Sequence, residues 1–377
     1  MFRRRERKTV AALTRPGETW KRGSMRFAIP FLVLSLAGCG GGRNKPLRLD
    51  MPPLVLAPIQ QSHVADGRGR YREILVAVRD ARTAPDADDP ACETLLHSLA
   101  DEPAPTGRRV HLGRARTRLR VLVVPGLLGD ILGAWVMPFA HGLARLEKYG
   151  YRTGYLWVSG SASCAYNAEM LKEAFAGVEL APDEKVLLVG YSKGAPDIFE
   201  ALVRFPEVRD RVTAVLTVAG AVGGSQVADE ASGAMRAAFR NLPLIHGTRG
   251  DAGALESLKR PARKLWLSRH ELPPSIRYFS LGTFAQRERI SAVLRSSYDA
   301  LAESDPRNDG ALLFYDQVTP RGTLLGFANA DHWAVALPID EDMPSASMLV
   351  TRNEFPRELL LEAAVRFIEE ALLAEAP

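Results

Sequence analysis

The sequence predicts an α/β fold: one domain on a mostly parallel sheet flanked by helices, with a helical insertion over one end. Three observations predict it. Short β-branched, nearly uncharged runs recur ("LRVLVV" from Leu119, "KVLLVG" from Lys185, "VTAVLTVAG" from Val212, "IRYFSLG" from Ile276), the pattern of strands buried on both faces. Between them lie stretches with apolar residues at helical spacing, so strand and helix alternate. The 377 residues are 46% hydrophobic, enough for one sizeable core with attachments or two small domains.

The charge is unevenly placed. The net charge is +5, yet the first 26 residues hold nine Lys/Arg against Glu6 and Glu18. That leaves 40 basic and 42 acidic residues after Arg26, so the body carries no electrostatic footprint for nucleic acid. Arg26 is followed by the apolar run "FAIPFLVLSLAG" and then Cys39. A basic start, a short apolar stretch and small residues at its end read as a secretory signal over residues 1–38. The run is too short to span a bilayer. Met25-Arg26 opens a compact signal by itself, so the true start is either Met1 or Met25. Leu36-Ala37-Gly38-Cys39 resembles the lipobox of bacterial lipoproteins. The resemblance implies cleavage before Cys39, lipidation of that cysteine and anchoring in the bacterial cell envelope. Gly40 behind the cysteine fits sorting to an outer membrane, facing the periplasm. With Cys39 used by lipid, Cys92 and Cys164 remain, and a pair in an oxidising compartment is a candidate disulfide.

The rest follows in order. Residues 39–69 are rich in Pro, Gly and polar residues and read as a flexible tether. Residues 70–117 form a helical extension: Tyr71, Ile74, Leu75 and Val78 make one apolar face, and Asp89-Pro90 opens a short helix carrying Leu95, Leu96 and Leu99. The α/β domain occupies residues 118–377. After "LRVLVVPG" come a helix around Ala134 to Tyr149, the strand "TGYLWVSG", a helix near Ala168 to Phe175, and the strand "KVLLVG". "GAPDIFEALVRF" is helical and "VTAVLTVAG" a strand. Residues from about 228 to 274 break the rhythm and form the insertion, or cap. "IRYFSLG" restores strand character, and a long helix carrying Leu360, Ala364, Phe367, Ile368 and Leu372 ends the chain.

The chemistry gathers at the strand ends. Gly190-Tyr191-Ser192-Lys193-Gly194 directly follows a buried strand and precedes a helix, the setting in which G-x-S-x-G makes a nucleophile elbow. Serine needs a base, itself oriented by a carboxylate. Of seven histidines, only His332 in "ANADHWAVALP" follows the last of these strand signals, and the order Ser, acid, His suits this kind of sheet. The acid is either Asp309, in the polar turn "RNDG", or Asp316, after the apolar "ALLFY". Asp331 abuts His332 too closely in sequence to aim at it. Two backbone N–H groups should form an oxyanion hole: that of Lys193, after the nucleophile, and that of Leu127, in "PGLLGD" after the first core strand. Cysteine and histidine spacing offers no metal site, and no cofactor is expected.

Together these residues resemble the α/β-hydrolase fold, and more narrowly the bacterial triacylglycerol lipases and related esterases. "VVPGLLGD" is similar to their oxyanion loop, "GYSKG" to their elbow, "GGSQVAD" to their Gly-Ser-x-x-Ala-Asp segment, and "NDG" with "DHW" to their acid and base loops. The resemblance covers Leu119 to the C-terminus. It implies Asp309 as the acid, His332 as the base, and an ester substrate with an acyl chain, for which the apolar "LLGDILGAWVMPF" is suited. The sequence departs at Pro125, where those lipases usually have histidine, at Lys193, and in the insertion, which follows none of their lids. The expected function is a lipid-anchored serine hydrolase of carboxylic esters. The alternatives are an acyltransferase using the same site and a non-catalytic envelope lipoprotein on this scaffold.

Overall fold

In the computed structural model, the structure describes residues 63–81, 92–127, 136–233, 250–350 and 355–374. The expected signal segment, Cys39, the expected Asp89-Pro90 cap, most of "LLGDILGAW" and residues 234–249 of the insertion lie outside them.

Seven strands form one parallel sheet: β1 (Ala65–Asp66), β2 (Leu119–Val124), β3 (Arg152–Tyr155), β4 (Lys185–Tyr191), β5 (Ala214–Val218), β6 (Arg277–Thr283) and β7 (Thr323–Ala328), ordered β1-β7-β6-β5-β4-β2-β3. β2, β4, β5, β6 and β7 are buried along nearly their whole length because both faces are covered. Leu119, Val121 and Val123 of β2 and Leu187 and Val189 of β4 point into one core. Leu122, Val124, Val186 and Leu188 point into the other. This is the period-two alternation of a strand with no solvent face.

Helices α1 (Arg68–Asp80), α3 (Ala140–Lys148) and α10 (Arg357–Ala374) supply the first core through Tyr71, Leu75, Leu143, Leu146, Leu360 and Ile368. α2 (Cys92–Leu95) ends in Leu95, which is buried in the same core. Helices α4 (Cys164–Ala176) and α5 (Gly194–Arg204) supply the second through Leu171, Phe175, Ile198, Phe199 and Leu202. The five expected strands stand where the sequence places them, β3 ending at Tyr155 and so ahead of "LWVSG", as does the terminal helix, but three expectations need correction. Residues 65–69, read as tether, are built in. Ala65–Asp66 pair with the start of β7, and a Cβ on Gly69 would stand 2.2 Å from the Pro103 carbonyl oxygen. The disulfide does not form: Cys164 is a buried free thiol at the head of α4, whereas α2, which carries Cys92, lies on the opposite face of the sheet. Burial pushes the Cys164 thiol up to about 12, a value the nearby Asp197 charge supports, so it is an inert packing group rather than a reactive one.

The insertion also divides in two. Ala228 of α6 (Gln226–Asp229), Ala231, and Leu255 and Leu258 of α7 (Ala254–Leu258) gather with Ala221 and Leu312 beside Leu127, over the carboxyl ends of the strands. α8 (Arg260–Arg269) turns away and lays Trp266 and Leu267 on the second core, against the side of the sheet.

Candidate active site

From β2 the chain runs outward to β3, then returns past β2 to β4 and continues the other way. The order of strands reverses between β2 and β4, and in such sheets the crevice at the carboxyl ends of that pair is where ligands bind. Two of the expected segments end there: Gly126-Leu127 after β2 and Ser192 after β4.

The elbow is tight for a sequence reason. Ser192 takes φ +52°, left-handed for a residue with a side chain, at a cost of about 1–3 kcal/mol. Three backbone bonds hold it: Ser192 N–H to the Val218 carbonyl (3.2 Å), and the N–H groups of Ala195 (3.2 Å) and Ala221 (3.0 Å) to the Ser192 carbonyl. The turn brings α5 so close to β2 that a Cβ on Gly194 would meet the Val124 carbonyl oxygen at 2.2 Å. A Cβ on Gly126 would stand 2.7 Å from Ser192 Cβ. Glycine at both positions lets the two loops close on the serine.

His332 lies in the loop after β7, and Asp309 in the turn after α9 (Arg295–Ala302). The three side chains form one line. Ser192 Oγ is 2.8 Å from His332 Nε2, and His332 Nδ1 is 2.8 Å from Asp309 Oδ2. A carboxylate only accepts, so Nδ1 carries the proton and Nε2 is left to accept from the serine hydroxyl. Asp309 is wholly buried and fully satisfied. Its Oδ1 accepts from the N–H groups of Ala311 (2.9 Å) and Leu312 (2.7 Å), and its Oδ2 also accepts from Thr283 Oγ1 (2.7 Å). The histidine is held from behind by backbone as well: its N–H donates to the Asp309 carbonyl (2.9 Å), and its carbonyl accepts from the Tyr191 hydroxyl (2.6 Å).

Of the two carboxylates open in the sequence, Asp316 is not the one that reaches His332. It sits in a short 3₁₀ turn (Phe314–Gln317) against the backbone of Gly223, with Arg260 3.9 Å away, and its Oδ2 has no hydrogen-bond partner. Burial pushes its carboxyl up to about 6 against the pull of Arg260. Asp331 has a third role. Fully buried, it accepts from the N–H groups of Trp333 (3.0 Å), Ala334 (2.7 Å) and Ser291 (2.7 Å), and so staples the loop that presents His332.

The N–H groups of Leu127 and Lys193 make no hydrogen bond within the protein among the described residues, and both flank Ser192, where an oxyanion would form. Lys193 contributes something the sequence reading overlooked. Its side chain turns inward and its Nζ lies 2.8 Å from both carboxylate oxygens of Asp197, each partner about 1% exposed. Asn167 continues the network, donating to Asp197 (2.7 Å) and to the Ser159 carbonyl (2.8 Å) while accepting from the Ser159 N–H (3.1 Å). Lys193, which caps the start of α5, is thereby tied through Asp197 to the loop after β3. The Lys193/Asp197 spacing, four apart on one helix, was the available signal. Thr283 and Tyr191 had none, since their partners are 26 and 141 residues away.

Chemically, this is a hydroxyl on a base, a base on a buried carboxylate, and two free N–H donors. The crystal structure of the metagenomic carboxyl esterase MGS0156 matches with a TM-score of 0.80 and 40% identity, over 85% of this chain and 97% of that one. The mature lipase BlEst2 of Bacillus licheniformis matches at 23% identity and a TM-score of 0.48, over 65% of this chain and 96% of its own. Lipase 1 of Pelosinus fermentans matches at 15% and 0.49, over 68% and 98%. No protein-family model matches the chain, and no curated protein does. With two residues in five shared along nearly the whole of the metagenomic enzyme, on a seven-stranded parallel sheet, the chain belongs to the carboxyl esterases of the α/β-hydrolase fold.

Proposed function

We propose that this protein hydrolyses carboxylic esters through a covalent acyl-enzyme on Ser192. The single observation that carries the reading is the continuous line from Ser192 Oγ through His332 to Asp309. As Ser192 Oγ attacks the ester carbonyl carbon, its proton passes to His332 Nε2, and the Asp309 carboxylate stabilises the imidazolium. The negative charge that develops on the carbonyl oxygen is met by the Leu127 and Lys193 N–H groups. Collapse expels the alcohol, which takes the proton from Nε2. Water, deprotonated by His332, then attacks the acyl-enzyme and releases the acid. The acyl portion is apolar: Leu127, Ala221, Leu255, Leu258 and Leu312 form the apolar cluster beside the serine.

Cys39 is the lipidated residue in this reading, and the enzyme is held on an envelope membrane through it, facing the periplasm. Support comes from the sequence "LAGC" behind a basic start and an apolar run. Metabolic labelling with an alkynyl fatty acid should tag the wild type and not Cys39→Ala.

The test of the catalytic reading uses a fluorophosphonate probe on the folded protein, with the adduct located by mass spectrometry. Labelling at Ser192, lost in His332→Ala together with at least about 10⁴-fold of the esterase kcat, is expected. A folded protein that takes no label at Ser192 would overturn the reading. Ready transfer of the acyl group to an added alcohol in preference to water would move it to an acyltransferase.

A further inference from the structure

The segment that leads into β2, "GRRVHLGRARTRLR" (residues 107–120), holds six arginines and no acidic residue. Two of them are spent within the fold. Arg120 is buried against Glu184, and Arg108 pairs with Glu370 at 2.7 Å. Arg109, Arg114 and Arg116 are exposed, and their guanidinium groups have no ion-pair or hydrogen-bond partner among the described residues. Arg109 and Arg116 border a cavity of about 200 Å³ between this segment and the end of α10.

The two acids on that cavity are already committed. Glu370 pairs with Arg70 (2.6 Å) as well as Arg108. Glu369 accepts from the N–H groups of Arg116 (2.7 Å) and Thr117 (2.9 Å) and from the Tyr151 hydroxyl (2.9 Å). The surface they leave is cationic, and the near-neutral balance of the chain after Arg26 hides it. At its far end Arg118 donates to the Pro182 carbonyl (3.3 Å), beside the exposed Asp183.

Its position is as informative as its charge. Because the sheet is parallel, the segment before β2 lies at the amino ends of all the strands, and the site lies at the carboxyl ends. A six-residue strand separates the two by about 20 Å. The chain also enters the described structure at that same end, since Ala65 pairs with Thr323, the first residue of β7. The N-terminal segment that carries Cys39 therefore joins the body on the arginine side. Among the described residues no helix is long and apolar enough to cross a membrane.

We propose that Arg109, Arg114 and Arg116 form a docking surface for an anionic phospholipid bilayer, which turns the amino ends of the strands to the membrane and the active site away from it. Guanidinium groups pair with phosphate through two parallel hydrogen bonds, and a basic residue at an anionic membrane surface strengthens binding by about five-fold. The proposal does not depend on lipidation of Cys39.

The test uses residues 40–377, which lack Cys39 and keep every described residue, in flotation with phosphatidylcholine vesicles with and without phosphatidylglycerol. Binding is expected only with phosphatidylglycerol, and it should fade as added salt shortens the screening length. The triple variant Arg109→Gln, Arg114→Gln, Arg116→Gln should bind on the order of a hundredfold more weakly, with unchanged thermal unfolding and unchanged hydrolysis of a water-soluble ester. Equal binding to both kinds of vesicle, no binding to either, or a triple variant that binds like the wild type would overturn the proposal. Tighter binding to duplex DNA than to vesicles at the same salt would also overturn it. Ester hydrolysis is read separately, so a failed docking surface leaves the catalytic reading untouched.

Discussion

Ser192 holds a backbone angle that most side chains avoid, and the residues around it explain why it can. Glycine at 126 and 194 opens the space, and the backbone bonds to Val218, Ala195 and Ala221 hold the turn. The two aspartates also differ at this scale. Asp309 has donors for both oxygens, one of them the histidine ring, whereas Asp316 Oδ2 has no hydrogen-bond donor and only an arginine 3.9 Å away. Sequence alone could not separate them, because a polar turn around Asp309 and an apolar run ending at Asp316 are both ordinary settings for a triad acid, and both residues precede His332. Only the resemblance of "NDG" to an acid loop pointed to Asp309. The burial of Asp316 has a pH signature. Its folded value of about 6 lies above the ordinary carboxylate value near 3.9. Its contribution to stability is therefore present below about pH 4 and lost as pH rises through 6, when a charge must be carried in an apolar site. Asp316→Asn should match the wild type in acid and become more stable by at most roughly 3 kcal/mol above pH 7. Melting temperatures of both proteins across this range decide it: parallel curves would mean that Asp316 titrates normally.

Among the elements, legibility followed burial on two faces. β2, β4, β5 and β6 each announce themselves as mostly apolar, β-branched or aromatic runs with few charges, and the helices between them carry clear apolar faces. β7 escaped notice although it aims the histidine loop. Its run "TLLGFA" is broken by Gly326 and sits among turn-forming residues. β1 escaped because two residues in a Pro- and Gly-rich stretch carry no period at all. The structure of the helical extension explains what the period could not. At the end of α2, the Leu95 carbonyl accepts from Asn329 N–H (2.8 Å) and, just beyond, His97 N–H donates to the Phe327 carbonyl (2.9 Å), clamping the end of β7 three residues before His332. The His97 ring stacks on Phe284 at 3.7 Å and its Nε2 donates to the Phe284 carbonyl at 2.8 Å. Burial holds the imidazole below its usual value, and Arg289 and Arg72 act in the same direction. The clamp is thus fully formed above about pH 6.5 and weakens as pH falls through the lower folded value. His97→Gln keeps a donor and cannot charge, so its stability should decline less than that of the wild type between pH 7 and 5. An identical decline in urea midpoints would remove His97 as the source.

At the scale of the whole molecule, the extension and the α/β domain are one folding unit, although the sequence divides them near residue 118. Tyr71, Ile74, Leu75, Val78, Leu95 and Leu96 are all buried in the same core as the strands. The Tyr71 hydroxyl donates to the Leu360 carbonyl of the terminal helix at 3.0 Å, and Arg70 pairs with Glu370 one turn from its end. A buried side chain of this size contributes about 1.5–3 kcal/mol. Six of them therefore amount to roughly 9–18 kcal/mol, against a total stability of about 5–15 kcal/mol for an ordinary domain. Removing them also strips the cover from α10 and from β7, leaving an apolar face and an open sheet edge. A chain beginning at Arg118 keeps every residue of the catalytic line and should nonetheless fail to fold, emerging aggregated and unreactive toward the fluorophosphonate probe. A chain beginning at His63 should unfold cooperatively and label at Ser192 like the full protein. If the shorter chain instead gave a cooperative melt and labelled normally, the extension would be an accessory laid on a complete domain, and its clamp on β7 would play no part in presenting His332.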